Sequence, residues 1–158
     1  MDLGPGTTET YVRWAIAQMH DVVDRLDDET VNRTPFPRTN SVAALVVHCC
    51  GVGEFWLGHV GLGRASERDR DSEFVTRATC AELHARLDAA AGAIVADAQA
   101  LARGEASPTN AGLRQFLQDG DETDASLVVH VIEELYQHLG HMQVTADALL
   151  GSGPEEES

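Results

Sequence analysis

The sequence predicts an all-α protein that folds as a four-helix bundle with long connecting loops. Four long stretches repeat apolar residues at steps of three and four, and segments rich in Pro, Gly and Asp separate them. The alternation of β-branched residues that marks a strand is not found. The 158 residues suffice for one domain with a single core. We therefore expect one bundle over residues 1–151 and a disordered acidic tail over residues 152–158.

The first two helices are indicated by their apolar faces. The first is expected over roughly residues 8–26, and prolines within residues 34–38 prevent its continuation. Its apolar stripe consists of Val12, Ile16, Met19, Val23 and Leu26. The second helix is expected over roughly residues 41–61, with Asn40 as its N-cap. At about 100° per residue, His48 falls in the middle of an otherwise apolar face of this helix.

The last two helices have clear start or stop signals. The third begins at the capping box Thr79-Cys80-Ala81-Glu82 and ends near Gly104. Its core face consists of Leu83, Leu87, Ala90, Ile94 and Leu101. The fourth is expected over residues 124–150 and stops at the Gly-rich residues 151–154. Polar loops are expected at residues 63–78 and 105–123.

The charge of the chain argues against nucleic acids and membrane surfaces as partners. Its 11 basic residues, all arginine, stand against 26 acidic residues, for a net charge of −15. Such a chain repels phosphate backbones and anionic lipids. The first residues lack the pattern of a secretory signal, and we expect no apolar run of the roughly 18–20 residues that span a membrane. We therefore expect a cytoplasmic protein whose three cysteines are reduced.

The fourth helix carries a polar stripe at the edge of its core face. With His130 at 0° on a helical wheel, His141 falls near 20°, Glu134 near 40° and His138 near 80°, at about 100° per residue. Glu134 and His138 lie one turn apart and can bind one ion together. His48 is the candidate for a third ligand, because it occupies the core face of the second helix. Two histidines and one carboxylate leave coordination positions open, as catalytic metal sites do.

These residues also have structural interpretations. A histidine on an apolar helix face, such as His48, is often a hydrogen-bonded core residue, and Glu134 with His138 can form a plain surface ion pair. Burying four unpaired polar residues beside a core is costly, which favours a site. Both interpretations of the stripe therefore stay open on spacing alone.

Other residues give weaker signals. Histidines without an evident partner are expected at the surface or its rim: His20, His59 and His84. Tryptophans are expected in the core: Trp14 and Trp56. The neighbouring cysteines are expected to act as small buried hydrophobic residues: Cys49 and Cys50. The segment from Arg64 to Arg70 is interpreted as a loop of mixed charge.

Two motifs together resemble those of the DinB-like superfamily. The segment Asn40–His48, followed by Glu54–Leu57, is similar to the second-helix motif of that superfamily. The segment His130–His141 reads His-x3-Glu-x3-His-x2-His, which resembles the last-helix motif in the branch containing mycothiol-dependent maleylpyruvate isomerase. The resemblance spans roughly residues 7–150. It implies a four-helix bundle, often a homodimer, with one divalent metal.

The resemblance also implies a function. Carried over position by position, the metal ligands are His48, Glu134 and His138; zinc is the expected ion, with nickel and iron as alternatives. Mycothiol or another low-molecular-weight thiol is the expected cosubstrate, bound as a thiolate that attacks a small electrophile. The expected activity is that of a metal-dependent thiol S-transferase. The alternative is a non-catalytic module that binds a metal or small ligand. His141 and His130 are the candidates for catalytic proton transfer, because both lie on the polar stripe.

One feature departs from the family pattern. Some relatives carry an arginine about one turn beyond the last histidine, where this chain has Thr145-Ala146-Asp147. An arginine that could hold an anionic substrate is therefore missing at that position. This departure weakens the case for isomerase activity and does not affect the expected metal ligands.

Overall fold

The computed structural model describes residues 4–117 and 123–151, which fold as an all-helical bundle. In chain order the elements are α1 (Pro5–Asp24), a 3-10 turn (Thr30–Asn32), α2 (Val42–Gly53), a π-helical segment (Glu54–Gly61), α3 (Arg70–Glu73), α4 (Cys80–Ala102), a second 3-10 turn (Ala111–Phe116) and α5 (Asp124–Leu150). The described residues contain no strand, and the predicted fold class is confirmed. The predicted acidic tail, residues 152–158, lies outside the described residues.

The ends of the helices follow from local hydrogen bonding. Ser41 is the N-cap of α2, and its hydroxyl oxygen accepts a hydrogen bond from the Ala44 N–H at 3.1 Å. The prediction of Asn40 as this cap is wrong by one residue. Thr79 and Glu82 form the predicted capping box at the start of α4. The left-handed backbone at the end of α5, with φ at +73°, occurs at Gly151, where glycine carries no Cβ strain.

The four long helices surround one core. α1 packs against α4 and α5, and α2 packs against the same two helices, so α1 and α2 occupy opposite corners of the bundle. The largest fully buried side chains come from all four helices, the first 3-10 turn and the π-helical segment: Val12, Met19, Val23, Val31, Leu45, Leu57, Leu83, Leu87, Ile94, Leu127, Leu135 and Met142. Each such side chain stabilises the fold by about 1.5–3 kcal/mol relative to an exposed one. The close packing of α2 against α5 brings the two predicted ligand-bearing helices together.

The stretch Val42–Gly61, formed by α2 and the π-helical segment, is strongly apolar. By length and composition it is able to cross a membrane, contrary to the sequence expectation. However, 61% of its most apolar window is buried inside the bundle. Packing in the core therefore accounts for its apolar character.

The two tryptophans differ in position. Trp14 is 52% exposed and stacks on Tyr136 with ring centroids 5.6 Å apart, so its prediction as a core residue is wrong. Trp56 packs against the core, as predicted, but is only half-buried. Cys49 is buried, as predicted, whereas Cys50 is half-buried and packs against the core.

Candidate metal centre

The three predicted metal ligands lie together between α2 and α5. One possible ligand atom from each of His48, Glu134 and His138 lies within 4.8 Å of the other two. Oε2 of Glu134 is 3.2 Å from Nε2 of His138 and 3.6 Å from Nε2 of His48. One turn of α5 brings Glu134 beside His138, and the packing of α2 against α5 adds His48. The arrangement can hold a divalent cation.

The hydrogen bonding of His48 fits a metal ligand. Nδ1 of His48 lies 2.8 Å from Oε2 of Glu73. Because a carboxylate accepts, Nδ1–H of His48 is the donor in this contact, and Nε2 of the same ring faces Glu134. A carboxylate behind the ring in this way typically orients a metal-binding histidine. Two imidazoles and a carboxylate form a donor set that suits zinc, nickel or iron.

His138 carries a nitrogen that the protein leaves unsatisfied. Its Nδ1 is buried, and no residue within 4–117 and 123–151 forms a hydrogen bond with it. A buried polar atom without a partner destabilises a fold. The nitrogen of His138 that faces Glu134 is Nε2, so this cost falls on the other nitrogen of the ring.

The neighbours of Glu134 favour the ionised form of its carboxyl group. The imidazole of His138, and next that of His48, face the carboxyl group and hold the pKa of Glu134 well below its ordinary value. These contacts outweigh the partial burial of the carboxyl group, which acts in the opposite direction. Glu134 therefore stays ionised and offers a negatively charged ligand.

A buried ion pair that the sequence analysis missed lies behind His48. Glu73, at the end of α3, is buried and accepts hydrogen bonds from Nε of Arg68 at 2.6 Å and Nη2 of Arg68 at 3.0 Å. The guanidinium of Arg68 also lies 3.4 Å from Nδ1 of His48. The sequence analysis interpreted residues 64–70 as a loop of mixed charge and did not predict the contacts of Arg68 with Glu73 and His48. No periodic pattern marks these residues, because they lie outside the long helices.

A cavity of about 690 Å³ lies over the three candidate ligands. Its wall includes three aromatic side chains, Phe55, Trp56 and Phe74. It also includes two arginines, Arg68 and Arg70, which lie over the rings of Phe55 and Phe74 at 5.5 Å and 5.3 Å. Arg68, from the loop after the π-helical segment, and Arg70, the first residue of α3, thus place positive charge at the cavity wall.

The two candidates for proton transfer both line this cavity. The ring of His141 lies 6.4 Å from that of His138, centroid to centroid. Burial, and then the nearby His138, lowers the pKa of His141, so its ring is neutral near neutral pH. His130 lies 4.0 Å from Oε1 of Glu134 through Nε2, and its ring meets the Trp56 ring edge-on at 4.9 Å.

The three histidines expected to lack partners all have them. Nδ1 of His59 lies 2.6 Å from the carbonyl oxygen of Arg64 and joins the π-helical segment to the following loop. His20 and His84 contact each other across α1 and α4. All three are partly buried, which agrees with the expected position at the surface or its rim, but the sequence did not reveal their partners, which are distant in sequence or are backbone atoms.

The fold and the site together define a class of protein. An all-helical bundle in which the second and last long helices supply histidine, glutamate and histidine to one cluster is DinB-like. The sequence model of one DinB-like family, Mycothiol-S-transferase, matches residues 7–150, and the chain belongs to that family. Searches of the curated proteins and of the solved structures gave no match.

Proposed function

We propose that this protein transfers mycothiol to small electrophiles at a divalent ion held by His48, Glu134 and His138. The observation that carries the proposal is the convergence of these three side chains under a cavity of about 690 Å³. Family membership supports mycothiol as the thiol. Zinc is the ion that we propose, and nickel and iron suit the same ligands.

The chain supplies the site with a defined charge. A divalent ion bound there would lower the pKa of a thiol, so that the thiol reacts as a thiolate near neutral pH. His48 and His138 would bind the ion as neutral ligands, and Glu134 would contribute one negative charge. Glu73 and Arg68 keep His48 oriented, because their ion pair fixes the carboxylate that accepts from its Nδ1–H.

The reaction requires one proton acceptor and one electrophilic carbon. We assign His141 as the group that takes the thiol proton, because it lines the cavity and is neutral near neutral pH. The sulfur then forms a bond to the electrophilic carbon, and the leaving group departs with the bonding electron pair. His130, which lies on the same wall one turn before Glu134, is assigned to return a proton to the leaving group.

We propose that the protein works in the cytoplasm. All three cysteines lie in the described part of the chain and are free thiols. Free thiols persist in a reducing compartment, which is also where a low-molecular-weight thiol is available as a cosubstrate.

The first test measures metal content and turnover in the same protein preparations. We expect about one divalent ion per chain in the untagged parent and little in Glu134→Ala. Glu133→Ala is the matched control for metal content, because Glu133 is the exposed neighbouring glutamate on α5. The parent should consume mycothiol and a generic electrophile, and a chelator should abolish this activity.

The outcomes separate the functions. Metal without turnover across several thiols and electrophiles would favour a non-catalytic binding module and contradict the transferase. A parent that binds no metal after reconstitution would contradict the metal centre, and the proposed transferase with it. Full metal content in His48→Ala would exclude His48 as a ligand.

A further inference from the structure

A second histidine pair lies between α1 and α4. In the described part of the chain, neither of these helices lines the cavity over the candidate metal centre. Nδ1 of His20 is 2.5 Å from Nδ1 of His84. The two rings are parallel within 3°, and their centroids are 4.8 Å apart. The distance between the two ring centroids exceeds the distance between the two Nδ1 atoms by about two ring radii. The rings therefore meet edge to edge, with their Nδ1 atoms facing each other.

Two aspartates determine which nitrogens carry protons. Nε2 of His20 lies 3.2 Å from Oδ1 of Asp88, and Nε2 of His84 lies 3.0 Å from Oδ1 of Asp24. Because an ionised carboxylate only accepts hydrogen bonds, each Nε2 is a donor. In a neutral ring, Nδ1 then carries a lone pair. Two lone pairs therefore face each other, and this contact is repulsive unless a cation lies between them.

We propose that His20 and His84 form a second metal site, in which their Nδ1 atoms bind one ion of the zinc, nickel or copper type. Imidazole nitrogen suits these ions and not magnesium or calcium. Asp24 and Asp88 stand behind the two rings as carboxylates do behind metal-binding histidines. Water molecules from the solvent would complete the coordination.

The arrangement is reciprocal. His20 and Asp24 are four residues apart on α1, and His84 and Asp88 are four residues apart on α4. Each histidine contacts the aspartate of the opposite helix. Each helix thus supplies one ligand and one orienting carboxylate, and an ion bound by both histidines joins α1 to α4.

The pair has room to accept an ion. Zn–N bonds of about 2.0–2.1 Å at a tetrahedral angle place two ligand nitrogens about 3.3 Å apart. The side chains of His20 and His84 are 23% and 29% exposed, so small rotations can open the present 2.5 Å separation. The exposed aspartates and the net charge of −15 favour the approach of a cation.

The test counts Zn²⁺ ions by elemental analysis after equilibrium dialysis of the full chain. We expect His20→Gln to bind one ion fewer than the parent, and Asp24→Asn to bind that ion at least tenfold more weakly. Asp21→Asn, which removes an exposed aspartate of the same helix, should match the parent. The same series in the Glu134→Ala background keeps the result independent of the proposed transferase site.

A direct measurement on the parent guards against misfolding of a variant. Zn²⁺ titration should shift the ¹⁵N signals of Nδ1 in both His20 and His84. Equal stoichiometry in the parent and His20→Gln would overturn the proposal. Unchanged ¹⁵N signals, with a proton shared between the two rings, would also overturn it.

Discussion

Gly51 leaves the space through which Glu73 reaches His48. A Cβ atom at this position would clash with Oε1 of Glu73 and would lie 3.0 Å from Nε of Arg68. Both atoms belong to the ion pair that orients His48. Because Gly51 has no side chain, α2 leaves room for the ion pair that orients His48 in the candidate metal centre.

We predict that Gly51→Ala lowers the zinc affinity of the protein about 10- to 100-fold, the usual effect of losing a partner behind a metal-binding histidine. Competition against a chromophoric chelator measures this affinity. Gly92→Ala is the matched control, because a Cβ there meets no atom within 4 Å. The control should keep its affinity and gain about 0.5–1 kcal/mol of stability, as an exposed helical glycine replaced by alanine does. Equal affinities would contradict the orienting role.

The protein's own thiols are poor candidates for the nucleophile. Burial raises the pKa of Cys49 well above its ordinary value and raises the pKa of Cys50 to about 11. Burial is also the largest cause that raises the pKa of Cys80. All three groups are thus protonated near neutral pH, and only the thiolate is a strong nucleophile.

We predict that Ellman's reagent reacts slowly with the native protein and rapidly with all three thiols after unfolding. Cys50→Ala should retain thiol-transfer activity, because the proposed nucleophile comes from the cosubstrate. A rapid reaction of one thiol in the native state, together with inactive Cys50→Ala, would indicate a catalytic cysteine instead.

The N-terminus of α4 is closed by a capping box. The Thr79 hydroxyl accepts from the Glu82 N–H at 3.2 Å, and the Glu82 carboxylate accepts from the Thr79 N–H at 2.8 Å. We predict that Thr79→Ala lowers the free energy of unfolding by about 1 kcal/mol. Urea unfolding at neutral pH measures this change, with the exposed loop variant Thr34→Ala as a control of small effect. An unchanged midpoint for Thr79→Ala would show that α4 does not depend on its cap.

The same cap predicts a dependence on pH. The backbone N–H of Thr79, followed by its hydroxyl, lowers the pKa of Glu82 below the ordinary value of a glutamate. The resulting stabilisation is complete above that ordinary value and is lost as the pH falls through the lowered pKa. Unfolding titrations of the parent and Glu82→Gln should therefore differ most near neutral pH and converge in acid. A difference that grows in acid would contradict this sign.

Periodicity explains which elements the sequence predicted well. His130, Glu134 and His138 were predicted on one side of α5 because a helix repeats every 3.6 residues, and packing against α2 then requires only that two apolar faces meet. Trp14 was misassigned because side-chain type, not angular position, suggested its burial. Its exposed ring instead stacks on Tyr136.

Non-periodic segments explain what the sequence could not predict. Arg68 and Glu73 approach His48 through a loop and the short α3, whose path depends on contacts made only in the folded chain. The pairing of His20 with His84 depends in the same way on how α1 packs against α4. Spacing along one helix contains no information about such partners.

The whole bundle is coupled to the candidate metal centre because its ligands come from two helices. An ion held by His48 of α2 and by Glu134 and His138 of α5 would bridge these neighbouring helices. The unfolded chain cannot keep the three ligands together, so the ion would bind the folded state preferentially. At a free-ion concentration of 100 times Kd, such binding stabilises the fold by about 2.7 kcal/mol.

We therefore predict that a chelator lowers the melting temperature of the parent and that added zinc restores it, as measured by scanning calorimetry. Glu133→Ala should respond as the parent does, because Glu133 is exposed and belongs to no ligand set found here. In the double variant Glu134→Ala/His20→Gln, both proposed ions lack a ligand, and the chelator should leave the melting temperature unchanged. Glu134→Ala alone should retain only the smaller response of the histidine pair between α1 and α4. If neither the chelator nor added zinc changed the melting temperature of the parent, the polar stripe on α5 would be a hydrogen-bonded part of the core.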